Sequence, residues 1–220
     1  MEINYEFLLQ IILGLFSIIC FVKSDPDPIH DYCIANTKCS RKIFLNEVPC
    51  LNPDYTLASH FTTSVLSKPS DVSRFSFNTT FINEKNLPGI NTLGLVLART
   101  DIAVNGLVPP HSHPRASEVV ILLEGSLLVG FADTSNRLYR QELLPGDCFI
   151  FPKSLIHFLY NIDSGNPALT LSGFNSQNPG FQMSSVATFV SNSPMPSEVL
   201  KKGYKINGQN ITRIRRNLGG

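Results

Sequence analysis

The sequence predicts an all-β domain, a sandwich or barrel of antiparallel strands, with short helices at its C-terminal end. From about Asn91 onward, short apolar runs rich in β-branched and aromatic residues follow one another. Gly, Pro, Asn or Asp separates these runs at short intervals, as turns between strands do. No amphipathic stretch of helical length interrupts the runs, so the pattern does not fit alternating strands and helices.

The segments on either side of this β-rich region have a different composition. From Asp25 to about Pro88, turn-forming residues dominate, and we expect irregular structure there. After about Met195, "PSEVLKKGY" predicts a short helix with Pro196 and then Ser197 as a candidate cap. The later stretch "GQNITRIRRNL" predicts a second helix, whose one apolar face comprises Ile211, Ile214 and Leu218.

Length and charge limit the classes of function. A chain of 220 residues with 43% hydrophobic and 16% charged residues can bury a sizeable core, and its length suggests one domain. The formal net charge of +1 provides no electrostatic basis for binding nucleic acid or a membrane surface. We therefore expect neither as a partner.

The N-terminus carries an apolar run from Phe7 to Val22. This run is shorter than the roughly 20 residues that a membrane-spanning helix needs. It predicts a secretory signal peptide over residues 1–24, with a single mature domain over 25–220. Because no Lys or Arg precedes the run, an uncleaved anchor remains the alternative.

Cysteines and glycosylation sequons agree with export. Cys33, Cys39 and Cys50 cluster near the mature N-terminus, where a disulfide would stabilise a segment with little core of its own. The spacing does not decide which two of them pair. Asn78 and Asn210 each begin an N-glycosylation sequon.

Four residues of the β-rich region form a candidate metal site. His111 and His113 are two residues apart, so an extended strand presents both side chains on one face. Glu118 lies at an odd spacing from them and requires a turn or bulge near Pro114 to face the same point. A later strand that starts at His157 can supply a fourth ligand. Three imidazoles and a carboxylate suit a divalent transition metal and leave coordination positions open. The alternative is a solvated turn on the surface of a β protein.

Two longer stretches, "GLVPPHSHPRASEVVILLEG" and "PGDCFIFPKSLIHFLYN", resemble the two sequence boxes of the cupin superfamily. With "NTLGLVLARTD" and "GFNSQNPG", they resemble plant germin-like proteins over nearly the whole mature chain. The resemblance implies a cupin jelly-roll β-barrel, secretion to the apoplast or cell wall, and homo-oligomers that are hexamers built as trimers of dimers, with the C-terminal helices packing across subunits. It also implies a manganese site whose ligands are His111, His113, Glu118 and His157.

The resemblance further implies a disulfide between Cys33 and Cys50, which leaves Cys39 and Cys148 unpaired. Because Cys148 lies in the apolar stretch "CFIF", we expect it to be a buried small hydrophobic residue. Two glycines of the family pattern are replaced here, by Asn105 and Ser154. Asn tolerates positive φ better than Ser does, so the turn at Ser154 is expected to be the less favourable one.

The family contains manganese oxalate oxidases, superoxide dismutases and members of unsettled activity. Two asparagines that hold oxalate in the oxidases correspond to Ala98 and Val108, whose side chains cannot donate hydrogen bonds. We therefore expect no substantial oxalate oxidase activity and predict superoxide dismutation, which requires no shaped substrate pocket. The alternative is a non-catalytic binding or defence protein of the cell wall, in which the metal is structural.

Overall fold

The computed structural model describes residues 31–38, 48–72 and 76–219, and ten β-strands dominate this part of the chain. In chain order the strands are β1 Phe77–Phe81, β2 Val96–Ile102, β3 Leu107–Ser112, β4 Glu118–Glu124, β5 Leu127–Ala132, β6 Leu138–Leu143, β7 Cys148–Phe151, β8 His157–Asn161, β9 Ala168–Phe174 and β10 Gln182–Met183. They form two five-stranded antiparallel sheets, with strand orders β1-β2-β9-β4-β7 and β10-β3-β8-β5-β6. The predicted all-β jelly roll with short C-terminal helices is confirmed.

The core lies between the two sheets. Along β2 and β9, buried residues alternate with more exposed ones, as expected for strands with one face turned inward. The inward side chains of both sheets contribute to one apolar cluster, which comprises Ile102, Val108, Val120, Leu122, Leu127, Val129, Leu143, Phe151, Leu159 and Ala168. Burying a side chain of this size stabilises the fold by about 1.5–3 kcal/mol.

Where the structure describes it, the N-terminal region is mostly irregular, as predicted, with short 3₁₀ turns such as Pro53–Tyr55. Strand β1 is the exception, and the expectation of irregular structure up to Pro88 was wrong there. Its five residues pair with β2 along their whole length, so long-range hydrogen bonding imposes a strand on "FNTTF". The predicted signal peptide lies outside the described residues.

A disulfide joins Cys33 and Cys50 beside an isolated bridge between Ala35 and Cys50. It connects two pieces of irregular chain that are also held by other contacts, because Cys33, Ile34 and Ala35 are buried and backbone hydrogen bonds join the two pieces. Cys39 lies outside the described residues.

Three short helices follow the sheets: α1 Ser184–Phe189, α2 Ser197–Tyr204 and α3 Gly208–Asn217. Helix α1 was not predicted, because six residues are too few to show a helical period. Pro196 is the N-cap of α2 and Ser197 is its first helical residue, so Ser197 does not act as the cap.

The three helices pack through a small apolar cluster of their own, which contains Phe189, Leu200 and Ile211. Of the predicted stripe on α3, Ile211 is buried, Ile214 packs against this cluster, and Leu218 is 37% exposed at the helix end. Among the described residues, no helix has both the length and the apolar character that crossing a membrane requires.

The expectation that Cys148 is buried was wrong, since its side chain is exposed. Strand β7 is an edge strand, and its residues alternate between the core and the outside. Phe149 and Phe151 pack inward, which turns Cys148 and Ile150 outward. A continuous apolar run does not reveal which of its residues face the core.

Ile150 belongs to a row of outward-facing residues that crosses four strands. The pairing connects Leu97, Gly173, Val119 and Ile150 in that order. Leu97, Val119 and Ile150 are 38%, 46% and 62% exposed. We call this row the outer apolar face.

Candidate metal centre

The pairing of β3 with β8 brings His111 and His157 directly opposite each other, with ring centroids 4.1 Å apart. His113 follows immediately after β3. Glu118 begins β4, which belongs to the other sheet. The turn predicted near Pro114 is present, and it carries the chain from one sheet to the other. Glu118 therefore points inward from the opposite side, which explains its odd spacing from the histidines.

The loop between the two sheets is held by the turn that precedes β8. Ser154 has a φ of 67° and donates from its backbone N–H to the carbonyl oxygen of His113 at 3.1 Å. Its hydroxyl donates to the carbonyl oxygen of Pro114, also at 3.1 Å. Asn105 likewise has a positive φ, 54°. Both glycine-type turns therefore form without glycine, and these bonds of Ser154 offset the strain that its φ imposes.

The four side chains lie close together and out of contact with solvent. His111, His113, Glu118 and His157 are between 1% and 5% exposed, and one candidate ligand atom from each lies within 4.8 Å of the others. Glu118 Oε2 is 3.1 Å from His113 Nε2 and 3.3 Å from His157 Nε2. Two ligands at right angles around a metal, with bonds of about 2.1 Å, are about 3 Å apart, so these separations fit a bound metal.

Backbone carbonyls set the tautomer of all three histidines. Each Nδ1 lies within hydrogen-bond distance of a carbonyl oxygen, which can only accept, so each Nδ1 carries the proton. For His111, His113 and His157 the acceptors are the carbonyl oxygens of Pro109, Gly180 and Leu155. Each Nε2 therefore presents a lone pair.

The lone pairs of His113 and His157 face Glu118 Oε2, a carboxylate oxygen that also cannot donate. His113 Nε2, His157 Nε2 and Glu118 Oε2 are buried and find no hydrogen-bond partner within the described part of the chain. Leaving such atoms buried and unsatisfied costs free energy, and a cation among them removes that cost. The donor set and its geometry fit a divalent metal ion.

Neighbouring side chains hold the ligands in place. Ser172, on β9, donates a hydrogen bond of 2.6 Å to Glu118 Oε1. Each imidazole also contacts a phenylalanine ring: His157 with Phe151, His113 with Phe174 and His111 with Phe181. Ser172 was not anticipated from the sequence. The feature of the sequence that could have indicated Ser172 is a polar residue at a position of β9 that faces the core.

The surroundings favour the ionisation states that a metal requires. Burial, together with the nearby His157, lowers the pKa of His111 to about 3, so this imidazole is neutral. Burial by itself would raise the pKa of Glu118, but His113 and His157, when protonated to imidazolium, donate to its carboxylate and lower this pKa to about 2. The carboxylate is therefore charged and the imidazole free to bind over a wide pH range.

A cavity of about 20 Å³ adjoins three of the four residues, His111, His113 and Glu118. Besides His111, His113 and Glu118, its lining comprises Thr79, Phe81, Thr100, Val108, Leu159, Phe174 and Phe181. Val108 lines the cavity as its predicted role requires. Ala98 is fully buried but is not among the lining residues.

Comparisons with known proteins agree with this architecture. Residues 64–212 match the family model described as Cupin. The chain is 51% identical over 216 residues to germin-like protein subfamily 1 member 1 of Arabidopsis thaliana, across 97% of this chain and 100% of the relative. It is 47% identical over 214 residues to germin-like protein 3-1 of Oryza sativa subsp. japonica, across 94% of each.

Among solved structures, an oxalate oxidase superposes with a TM-score of 0.84 at 32% identity, covering 90% of this chain and 99% of the other. This likeness covers most of the chain. Together with the sequence matches, it shows that the chain belongs to the plant germin-like proteins and has the cupin jelly-roll fold.

Proposed function

We propose that this germin-like protein is secreted, binds manganese through His111, His113, Glu118 and His157, and dismutes superoxide. The observation that carries the proposal is the convergence of buried, proton-free Nε2 atoms on the charged oxygen of Glu118. A bound redox metal with open coordination positions would supply the electron transfer.

The chain's own residues perform the remaining tasks in this proposal. The carbonyl oxygens that accept from the three Nδ1 atoms keep each imidazole oriented toward the same point. Ser172 fixes the carboxylate of Glu118. Phe81, Phe174 and Phe181 exclude bulk water and leave room only for a small ligand.

The cavity also supports the absence of oxalate oxidase activity, although the superposed structure is an oxalate oxidase. A space of about 20 Å³ is near the lower limit of about 10–15 Å³ for one water molecule, and an oxalate dianion is far larger. Val108 presents methyl groups where a carboxylate of oxalate would need a hydrogen-bond donor. Each hydrogen bond that the carboxylate lacks costs about 1–3 kcal/mol of binding free energy.

One observation favours the alternative of a structural metal in a non-catalytic cell-wall binding or defence protein. His157 and His113 are only 1% and 2% exposed, and so small a cavity restricts access to the metal. A metal held only for stability would need no access at all. A dismutation assay on manganese-loaded protein distinguishes the two functions.

The decisive experiment combines metal analysis with a dismutation assay on purified, manganese-loaded protein. We expect about one manganese per chain, dismutation by the wild type, and loss of both in His111→Ala. His60→Ala is the matched control, since His60 lies outside the site and should leave both readouts unchanged. Wild-type protein that holds manganese without dismuting superoxide would support the structural role instead. Wild-type protein that retains no metal would overturn the site assignment.

The oxalate part of the proposal has its own assay. Manganese-loaded protein incubated with oxalate should release no hydrogen peroxide above a no-enzyme control. Peroxide that depends on oxalate and disappears in His111→Ala would contradict the proposal.

We further propose that the chain forms homo-oligomers, in the family's pattern a hexamer of three dimers. The outer apolar face supports this, because contiguous exposed apolar surface on a sheet favours association. Light scattering of the wild type and of Val119→Lys tests it. A wild type that is monomeric at micromolar concentration would refute it.

Secretion and glycosylation at Asn78 and Asn210 also remain proposals. The Cys33–Cys50 disulfide supports an oxidising compartment. The side chain of Asn78 is exposed, whereas Asn210 lies half-buried in α3. Expression in plant cells with detection in the apoplastic fluid, before and after N-glycosidase treatment, tests both. Retention of the chain inside the cell would contradict secretion, and an unchanged mass after treatment would contradict glycosylation.

A further inference from the structure

Two threonines, Thr79 and Thr100, are the polar residues that line the metal cavity besides the candidate ligands. Apart from the candidate ligands, the other described residues that line it are aliphatic or aromatic. Thr79 on β1 and Thr100 on β2 are direct cross-strand partners, and their hydroxyl oxygens are 3.0 Å apart. This pair of residues has no role in holding the four candidate ligands.

One of the two hydroxyl protons of Thr79 and Thr100 is not used in a hydrogen bond among the described residues. Two hydroxyls carry two protons, and one proton lies in the bond between the oxygens. Within the described part of the chain, neither hydroxyl has a further hydrogen-bond partner. Thr100 is only 6% exposed, so bulk water does not readily satisfy the remaining proton. That proton is available to an acceptor inside the cavity.

We propose that the Thr79–Thr100 pair donates a hydrogen bond to a monatomic or diatomic anion held in the metal cavity. The proposal rests on the proposed function, in which the ligand would be superoxide, and it names the residues that recognise it. An anion moved from water into a cavity lined by Val108 and Leu159 loses its hydration. A hydroxyl donor restores one of the lost bonds, and bonds to charged groups are the stronger kind.

Size and charge together define the class of ligand. A cavity of about 20 Å³ accepts a species of about the size of water. Because the unused hydroxyl proton of the threonine pair has no carbonyl oxygen of the described chain to donate to, it favours a ligand that accepts a hydrogen bond. Neutral dioxygen is a poor hydrogen-bond acceptor, so the same pair would favour the anionic species over the neutral product. The pair thus acts in ligand discrimination.

Fluoride is a suitable probe, because it is a monatomic anion and a strong acceptor. Its dissociation constant for manganese-loaded protein can be measured from the change in the manganese resonance spectrum. We expect the double variant Thr79→Val/Thr100→Val to bind fluoride at least about tenfold more weakly than the wild type, the effect of losing one hydrogen bond to a charge. Thr79→Ser and Thr100→Ser, which keep the hydroxyls, should bind nearly as the wild type does.

Thr170→Val is the matched control. Thr170 is the cross-strand partner of Thr100 on β9, but it does not line the cavity. Its fluoride affinity and metal content should equal those of the wild type. Equal fluoride affinity in the double valine variant and the wild type, with equal metal content, would overturn the proposal. Should the valine variant fail to fold, weak fluoride binding by both folded serine variants would overturn it as well.

The fluoride measurement is independent of the reaction. If the wild type fails to dismute superoxide but the valine variant binds fluoride more weakly, the proposed function is wrong and the proposed hydrogen bond from the threonine pair is supported. If the wild type dismutes superoxide but all variants bind fluoride equally, the proposed function is supported and the proposed hydrogen bond from the threonine pair is wrong.

Discussion

The hydroxyl of Ser172 donates a 2.6 Å hydrogen bond to Oε1 of Glu118, and this bond makes the two carboxylate oxygens inequivalent. Oε1 is satisfied by the serine. Oε2 is left without a hydrogen bond and lies 3.1 Å from His113 Nε2. Ser172 therefore determines which oxygen of Glu118 is presented to the proposed metal.

Replacing Ser172 by alanine should weaken metal binding without unfolding the protein. The carboxylate loses the partner that orients it, and changes of this kind typically reduce metal affinity by about 10- to 100-fold. Competition with a chelator of known affinity measures the effect. Thr170→Val, two residues earlier on the same face of β9, is the control and should bind metal normally. Normal metal affinity in Ser172→Ala would show that Ser172 does not position the ligand.

Thr170→Val should leave the stability of the protein unchanged or increase it. Thr170 is fully buried, and its hydroxyl finds no hydrogen-bond partner among the described residues. Removing a buried, unsatisfied hydroxyl relieves a penalty of about 1–3 kcal/mol, offset in part by imperfect packing of the valine. Urea denaturation measures the difference. A loss of more than about 1 kcal/mol would mean that the hydroxyl has a partner, such as a bound water.

The metal-free protein should lose stability as pH falls from 6.5 toward 3. In the folded state burial lowers the pKa of His111 from 6.5 to about 3, so between these values only the unfolded chain binds the proton. The free energy of unfolding therefore falls with decreasing pH, by at most about 1.4 kcal/mol per pH unit from this residue. Glu118 contributes in the same direction from pH 4.5 down to about 2.

Urea denaturation in the presence of a chelator at pH 7, 5.5 and 4.5 gives the slope. His111→Gln removes the titrating group and should flatten it, whereas His60→Gln should not. A slope that is the same in wild type and His111→Gln would exclude His111 as its source.

Removing the disulfide should destabilise the protein by about 3 kcal/mol, the loop-closure entropy for a separation of 17 residues. The double variant Cys33→Ser/Cys50→Ser tests this without leaving a free partner thiol. Cys148→Ser is the control, and because Cys148 is exposed its effect should stay within about 0.5 kcal/mol. A double variant as stable as the wild type would indicate that the N-terminal segment is held by other contacts.

Much of the fold and the site follows from local sequence. The strands of the β-rich region can be predicted because runs of β-branched and aromatic residues alternate with turn residues. These strands form largely independently of which strand pairs with which. His111 and His113 are recognisable as a pair because strand geometry places alternate residues on one face. The chemical types of His111, His113, Glu118 and His157 already indicate a divalent metal.

Other features depend on contacts between distant parts of the chain. Strand β1 exists because β2 pairs with it, and Cys148 is exposed because β7 lies at the edge of its sheet. Ser172 reaches Glu118 across 54 residues of sequence.

The sequence by itself determined the all-β class and the ligand types, which are properties of residue identity and short-range periodicity. Its resemblance to the germin-like proteins implied, in addition, that Ala98 and Val108 stand where oxalate oxidases have substrate-holding asparagines. Only the tertiary structure decided that Glu118 faces the histidines from the opposite sheet, and that Thr79 and Thr100 meet at the cavity. Both depend on strand order and register, which arise from long-range pairing that local propensity does not encode.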